Sequence, residues 1–401
     1  MINKNKDRGI TLVALVITII ILLILATISI QSLTNTGLFK NAQKAKDETQ
    51  NAAENQAKTL NEYEDELNKY TSGTPTTPPA PQIKKVADNI GSVLSTTDNT
   101  ELEDAYGNKI VVPAGFKIVS DSTTNNAQTV NQGIVIEDAT KTAEGTATST
   151  SGSQFVWIPV GKIYTDVAKT EANAKTIELG RYSFDSSTGA KSAYSGNYVE
   201  EDKGDTNTTL KKYGNTIAKN ITNFKNSVTS NGGYYIGRYE ARTTTERTAA
   251  DNALTQITEK GTDQVYNFVT QLQAGQLAQN MYNSTKFTSD LMNSYAWDTA
   301  TLFLQTCGEE KYSRKTSVNN SLASKGTNSS DYTGTRDTVC NVYDMASNVY
   351  EWTTETSNNS NGPCVYRGGG YSYSGAYTST RSYYNTSHSD DGRGFRPLLF
   401  V

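Results

Sequence analysis

The sequence predicts a membrane-anchored N-terminal helix followed by a large α+β domain with much irregular structure. An uncharged, apolar run extends from Ile10 to Ile30. A Pro- and Thr-rich stretch at 71–82 then separates a charged, helix-patterned segment from the rest of the chain. Beyond residue 83, short β-like runs alternate with Gly, Asn, Ser and Thr, and only two segments have helical periodicity. Many short strands beside few helices indicate the α+β class.

Composition excludes several kinds of site. The net charge is −4 with no long basic run, so a nucleic-acid-binding surface is not indicated. The cysteines Cys307, Cys340 and Cys364 lack metal-ligand spacing, and their odd number leaves at least one thiol unpaired. A Cys340–Cys364 disulfide and buried thiols acting as small apolar residues both remain open. Tyrosine, with 24 residues against 10 phenylalanines, favours an exposed binding protein.

The apolar run Ile10–Ile30 is long enough to cross a membrane, since about 20 helical residues span roughly 30 Å. Lys4, Lys6 and Arg8 precede it, which places that end in the cytoplasm and everything after residue 31 outside. A buried core helix explains the run less well, because the run is too long. A cleavable secretory signal also explains it less well, because the run is too long and lacks a small-residue cleavage site. The prediction is a single-pass cell-membrane protein with an extracellular C-terminal domain.

The N-terminal segment Asp7-Arg-Gly-Ile-Thr-Leu-Val-Ala-Leu15 resembles a type IV prepilin leader, which would comprise residues 1–9. The resemblance implies that a prepilin peptidase cuts after Gly9 and that Ile10 is methylated. Pilin-like subunits are then expected partners. The family usually has Glu at the fifth mature position, where this chain has Ala14. That departure weakens the case for a conventional pilus and leaves membrane anchoring intact.

The remainder divides into a helical stalk at 31–70, a semi-rigid linker at 71–82 and an outer domain at 83–401. In the outer domain, 161–231 is polar and is predicted to form insertion loops rather than core. A helix is expected at 263–281, and a second at 291–306 with Ser294 as its cap. The predicted strands are Lys109–Phe116, Gly133–Glu137, Gln154–Val160 and Gly232–Ala241.

Three segments near the C-terminus follow a recognisable order. They read Asn341-Val-Tyr-Asp-Met-Ala-Ser-Asn-Val-Tyr-Glu-Trp352, Val365-Tyr-Arg-Gly-Gly-Gly-Tyr-Ser-Tyr-Ser374 and Gly392-Arg-Gly-Phe-Arg-Pro397. This set resembles the end of the formylglycine-generating enzyme (sulfatase-modifying factor) family, a variant of the C-type lectin fold, as it occurs in Gram-positive surface proteins. The family's reactive cysteine pair would follow Arg367-Gly-Gly and is missing here, so an oxidase is the least favoured function and no enzyme is expected.

The segment Asp344–Glu351 resembles the one that wraps a structural calcium ion in that family. The implied ligands are the side chains of Asp344 and Glu351 and the carbonyls of Ser347 and Val349. The alternative is a tight turn that Asp344 and Asn348 hold through backbone hydrogen bonds. No other cofactor is expected. The Arg367 and Arg396 side chains are predicted to be buried against carboxylates or carbonyls, with Phe395 as a core anchor.

The stretch 371–391 is rich in Tyr and Ser, with Gly, Asn, Thr, Asp and the sole histidine. Antibody paratopes use a similar mixture of rigid aromatics and small adaptable polar residues. The stretch also resembles the diversified terminus of variable proteins made by diversity-generating retroelements. An ordinary polar loop is the alternative, and adjacent Ser, His and Asp residues cannot supply triad geometry. The candidate ligand-binding residues are Tyr371, Tyr373, Ser374, Tyr377, Ser379, Tyr383, Tyr384, Asn385, His388, Asp390 and Asp391.

The leading hypothesis is therefore a surface-anchored, non-catalytic binding protein whose ligand is an extracellular protein or glycan. The runner-up is a minor pilin or pseudopilin subunit.

Overall fold

A computed structural model describes residues 83–119, 129–200, 221–251, 253–317, 337–371, 373 and 375–401, together with residues 20, 23, 46, 49, 50, 59, 60 and 63. The chain forms two units, Met1–Gln82 and Ile83–Val401. Within the described residues, no helix has the length and hydropathy needed to span a membrane. The predicted span, stalk and linker lie outside them except for the eight isolated residues, as do Gly9 and Ile10.

The second unit combines many short strands with three α-helices among its described residues, which confirms the predicted α+β class. The helices are α1 (Ile221–Asn231), α2 (Gln271–Gln279) and α3 (Ser294–Cys307), and short 3₁₀ turns lie at Ala87–Asn89, Val130–Gln132, Glu171–Asn173 and Tyr312–Arg314. The strands are β1 (Thr100–Glu103), β2 (Lys109–Val112), β3 (Phe116–Ile118), β4 (Val135–Asp138), β5 (Gln154–Pro159), β6 (Gly161–Tyr164), β7 (Ala174–Ile177), β8 (Tyr182–Phe184), β9 (Lys191–Ala193), β10 (Tyr198–Val199), β11 (Gly233–Gly237), β12 (Arg242–Thr243), β13 (Gln264–Val265), β14 (Thr288–Leu291), β15 (Thr338–Val339), β16 (Val342–Tyr343), β17 (Tyr350–Ser357), β18 (Cys364–Arg367), β19 (Arg381–Tyr384), β20 (Arg393–Phe395) and β21 (Pro397–Phe400).

The larger sheet is antiparallel, in the order β14-β21-β11-β5-β4-β3, and it is buried on both faces. Successive residues of β11 enter different core clusters, because side chains alternate across a strand. Tyr235 packs on Trp157 with ring centroids 4.9 Å apart, and Tyr234 packs on Phe224 of α1 at 5.1 Å. The C-terminal strand β21 pairs with β11 and β14 in this sheet, which fixes the C-terminal part of the chain.

A second sheet, in the order β10-β17-β18-β19, carries the candidate binding segment. Strand β20 pairs with β17 in parallel, with Trp352 opposite Phe395. Strand β19 pairs with β18 so that Arg367 lies opposite Arg381 and Tyr366 opposite Ser382. The segment 371–391 therefore leaves the sheet after β18, returns as β19 and ends just before β20.

Two predicted elements have different boundaries. The run 109–116 is two strands, β2 and β3, because the chain turns at Gly115, whose φ is 83°. The predicted helix 263–281 is wrong in its first half. Val265 lies in β13 opposite Arg242, and the helix begins only after Thr270, which forms a capping box with Gln273.

The predicted cap of the second helix and the predicted insertion are also wrong. Asn293, not Ser294, caps α3, since its side chain accepts a hydrogen bond from the Ala296 amide. The segment 161–231 is not only loops, because its described part contains β6–β10 and α1. Phe224 and Val228 of α1 are fully buried, so this segment contributes to the core.

Candidate functional site

The candidate binding segment starts from a tightly packed glycine turn. A Cβ on Gly369 would lie 1.9 Å from the Ala346 carbonyl oxygen. A Cβ on Gly368, whose φ is +81°, would lie 2.5 Å from the carbonyl oxygen of Met345. Only glycine allows this approach and this backbone conformation, so the Arg-Gly-Gly element fixes where the segment leaves β18.

A buried ionic network holds β18 and β19 in place. The Arg367 guanidinium lies 2.5 Å from an Asp298 carboxylate oxygen, and the Arg381 guanidinium lies 2.6 Å from the other. Arg381 also donates to Glu355 at 2.8 Å, and Arg181 pairs with the same carboxylate. The structure thus confirms that Arg367 is buried against a carboxylate. It also shows that Arg381, inside the candidate segment, is a structural anchor.

Arg396 is likewise buried against several acceptors, as predicted. Its guanidinium donates to the Glu351 carboxylate at 2.7 Å and to the carbonyls of Gly237 and Tyr343, each at 2.8 Å. Phe395, beside it, is fully buried and packs against Tyr266. These contacts tie the Gly-Phe-Arg element to both sheets.

Glu351, one of the residues suggested as calcium ligands, is paired with this arginine. Both Glu351 oxygens accept hydrogen bonds from Arg396, and the Asp344 carboxylate accepts one from the Ser347 hydroxyl at 3.2 Å. The Val349 amide donates to Glu240 at 3.0 Å. No group of three or more His, Cys, Asp or Glu in the described ranges could hold a metal ion. The Arg396 guanidinium thus occupies the Glu351 carboxylate, and this pairing disfavours calcium at the set Asp344, Ser347, Val349 and Glu351.

The rings of Tyr384 and His388 in the segment form an aromatic stack with Tyr366 of β18. The rings of Tyr384 and His388 are nearly parallel, with centroids 3.8 Å apart and an interplanar angle of 5°. Tyr366 lies 5.7 Å from Tyr384 at an angle of 22°. The Arg393 guanidinium lies 4.7 Å from the Tyr384 ring centre and 5.1 Å from those of Tyr350 and Tyr366. Such cation–π contacts further immobilise the stack.

Asp390 links the stack to the next strand. One of its oxygens accepts from Arg393 at 2.8 Å and lies 3.1 Å from Nε2 of His388. Burial lowers the pKa of His388 from its ordinary value, although the Asp390 carboxylate acts in the opposite direction. A neutral His388 that donates from Nε2 to Asp390 is consistent with both observations.

Tyr383 lies on the opposite face of β19 from Tyr384, because successive strand residues alternate. Its ring is 6.2 Å from that of Tyr198, and its hydroxyl accepts a hydrogen bond from Asn359 at 3.0 Å. On the same side, Tyr194 lies 4.1 Å from the Arg381 guanidinium. Tyr194 and Tyr198 were missed from the sequence because they fall within 161–231. The two candidate tyrosines of β19 therefore lie on opposite faces of the strand rather than on one surface.

The tyrosines before β19 differ in exposure. Tyr371 is only 8% exposed, and its amide donates to the Asn348 carbonyl at 2.7 Å, so it is not the exposed contact that the sequence suggested. Tyr373 is 62% exposed. Tyr377 is half-buried, with its ring 5.6 Å from the Arg314 guanidinium.

The remaining candidates are polar. The half-buried Ser379 donates its amide to Ser313 at 3.0 Å. Asn385 is exposed, and its side-chain oxygen accepts from the Ser387 amide. Asp391 is half-buried, and its carbonyl accepts from the side chain of Asn267. Ser374 lies outside the described residues.

None of the three cysteines forms a disulfide, and none lies in the candidate segment. Cys364 is buried in β18, opposite Tyr384. Cys340 packs in a different core cluster, where its sulfur would lie 3.0 Å from a Cβ on Gly308. The suggested Cys340–Cys364 disulfide is wrong, and the alternative of packed thiols describes these residues. Burial raises the pKa of Cys307 to about 12.

Comparison with known proteins adds one similarity. No protein-family model matches the chain, and no curated protein matches it. Among solved structures, the chain is similar to Treponema denticola variable protein 1, with 12% sequence identity and a TM-score of 0.30. The similarity covers 63% of this chain and 98% of that one. A similarity of this size establishes neither a shared fold nor a shared function.

Proposed function

We propose that the protein is a non-catalytic ligand-binding protein of the cell surface, and that the C-terminal segment around β19 provides its binding surface. The observation that carries the proposal is the packing of Tyr384. This side chain is 38% exposed, yet it is held by His388, Tyr366 and Arg393. A tyrosine already fixed in place loses little conformational entropy on binding, which favours affinity.

The neighbouring groups supply adaptable polar contacts. Asn385 and Tyr373 are exposed, and half-buried His388 and Asp390 lie at the edge of the stack. His388 and Arg393 are each hydrogen-bonded to Asp390, and the proposal invokes recognition and no covalent chemistry. The ligand is an extracellular protein or glycan, and residues 10–30 anchor the chain in the membrane.

The proposal includes diversification of the exposed positions. Two sets of positions in this region support it. Gly368, Gly369 and Arg381 are fixed by packing and ion pairs. Tyr373, Tyr384 and Asn385 are exposed to solvent. Change at the second set leaves the buried framework intact. Such a framework is what a diversified binding segment needs.

The test screens the full-length chain against a glycan array and a phage-displayed peptide library. Every hit is then measured against the double variant Tyr373→Ala/Tyr384→Ala. We expect the double variant to bind at least about 10-fold more weakly, as loss of aromatic anchors usually does. Tyr106→Ala, at a half-buried tyrosine in the β1–β2 turn, is the matched control and should change affinity less than about two-fold. Unchanged binding of all hits by the double variant would reject the site.

A further inference from the structure

Strand β19 forms one edge of the second sheet, and its outward-facing backbone groups can be assigned. The Gly368 amide donates to the Thr380 carbonyl at 3.3 Å, and this bond flanks the Arg367–Arg381 pair, which marks it as a non-hydrogen-bonded pair of the β18–β19 ladder. Such pairs recur at every second residue in antiparallel strands. Ser382 and Tyr384 therefore point their N–H and C=O groups towards β18, and Arg381 and Tyr383 point theirs away from the sheet.

No hydrogen bond within the described part of the chain uses the outward N–H and C=O groups of Arg381 or Tyr383. Proteins usually protect an exposed edge with Pro, a bulge or a charged side chain. The register of β19 is regular and its sequence is Arg-Ser-Tyr-Tyr, so it has no Pro. Its single charge is turned inward, because Arg381 pairs with Asp298 and Glu355. Within the described ranges, no other strand covers this edge.

We propose that the ligand is an extended segment of a partner protein that adds to the sheet beside β19. This inference rests on the proposed function and narrows its ligand to a polypeptide. A backbone in the β conformation repeats its N–H and C=O groups every two residues, which matches the outward groups of Arg381 and Tyr383. A glycan lacks that repeat.

The two faces of β19 give such a segment side-chain contacts in alternation. Tyr384 and His388 flank the edge on one face, and Tyr383 and Tyr198 flank it on the other. Both surfaces are aromatic, so they suit apolar or aromatic side chains at alternate positions of the incoming strand. Tyr383 and Tyr384 lie on opposite faces of β19, so a partner strand can contact one of them with each of its two faces.

The experiment selects linear peptides of about 12 residues from a phage-displayed library on the full-length chain, and measures amide hydrogen exchange with and without each synthetic peptide. We expect the peptide to slow exchange at least about 10-fold at Arg381 and Tyr383. Ser382 and Tyr384, which already pair with β18, are the internal controls. Peptides N-methylated at successive positions should lose binding about 10-fold or more at every second position only.

The outcomes separate this inference from the proposed function. Protected Arg381 and Tyr383 amides with a two-residue N-methyl pattern support strand addition. Peptides or glycans that lose affinity in Tyr373→Ala/Tyr384→Ala but leave these amides unprotected overturn strand addition and retain the binding site. Selected peptides that protect other amides and ignore both tyrosines overturn both.

Discussion

The imidazole of His388 lies flat on the ring of Tyr384, with centroids 3.8 Å apart and an interplanar angle of 5°. They are four positions apart in the chain, so the stack closes the turn that follows β19. Tyr366 of β18 supports Tyr384, and Arg393 of β20 contacts the same ring. One exposed tyrosine is therefore fixed by β18, by β20 and by the turn that follows β19.

The first prediction concerns the protonation of His388, the only histidine in the chain. Burial lowers its pKa, so a proton NMR titration should give a value below the ordinary 6.5. The folded state then binds fewer protons than the unfolded state near that pH. The contribution of His388 to stability is accordingly present above pH 6.5 and is lost as the pH falls.

Two variants check the causes of this shift. Asp390→Asn removes the carboxylate that raises the pKa of His388, so the midpoint should move further down. Tyr384→Ala uncovers the ring and should return the midpoint towards 6.5. A midpoint above 6.5 in the wild-type chain would contradict the stacked, partly buried geometry.

The second prediction concerns Arg381, which lies inside the candidate segment but pairs with Asp298 and Glu355. Arg381→Ala leaves part of two buried carboxylates uncompensated, so it should destabilise the fold by about 3 kcal/mol in thermal unfolding. Ser382→Ala, at the next residue, is the control and should stay within about 0.5 kcal/mol. Equal stability of the two variants would show that the ion pairs of Arg381 with Asp298 and Glu355 do not stabilise the fold.

The third prediction concerns natural variation. Deep sequencing of codons 365–401 across a population of the source organism should find substitutions at Tyr373, Tyr384 and Asn385, which are exposed. Buried Tyr371 and paired Arg381 should remain constant. If substitutions are confined to adenine-derived codons, diversification is supported. A uniform sequence across the population would reject it and leave an inherited binding protein.

The fourth prediction concerns calcium. Because Arg396 already occupies the Glu351 carboxylate, adding calcium or a chelator should leave the melting temperature of the full-length chain unchanged. Glu351→Gln should lower it equally in both conditions, since it weakens the buried ion pair. A calcium-dependent rise in the melting temperature that Asp344→Asn abolishes would instead establish the ligand set suggested by the family resemblance.

Buried arginines and regular strands were predictable from the sequence. An arginine beside glycines in a core-like stretch needs several acceptors, and both Arg367 and Arg396 find them. The strand at 154–160 was also predictable, because its continuous apolar run corresponds to β5, which is buried on both faces. In each case the local residues predict the burial, although the acceptors of the two arginines come from distant parts of the chain.

Features that depend on distant parts of the chain were not predictable. Val265 looked like part of a helix face, yet it is buried by pairing with Arg242 in β12. Tyr194 and Tyr198 looked like loop residues because the strands near them are too short to show a period: β9, which ends just before Tyr194, has three residues, and β10, which contains Tyr198, has two. Assigning Tyr383 and Tyr384 to opposite faces requires the boundaries and register of β19, which Tyr/Ser-rich composition does not reveal.

The last prediction concerns Glu200, whose buried carboxylate has its pKa raised from 4.5 to about 7, first by burial and then by the nearby Glu355 charge. The folded state therefore holds this proton between about pH 4.5 and pH 7 while the unfolded state releases it. Stability is lost as the pH rises through that window, by about 3 kcal/mol at most.

Glu200→Gln should remove this loss. An amide can still accept from the Ser294 amide and donate to the Thr354 hydroxyl, the two groups that the carboxylate now contacts. We expect the melting temperature of the variant to exceed that of the wild type at about pH 8 and to match it at about pH 5. Glu101→Gln, at an exposed carboxylate, should show the same difference from wild type at both pH values. A Glu200→Gln variant less stable by the same amount at both pH values would mean that Glu200 is charged throughout and that its hydrogen bonds outweigh its burial.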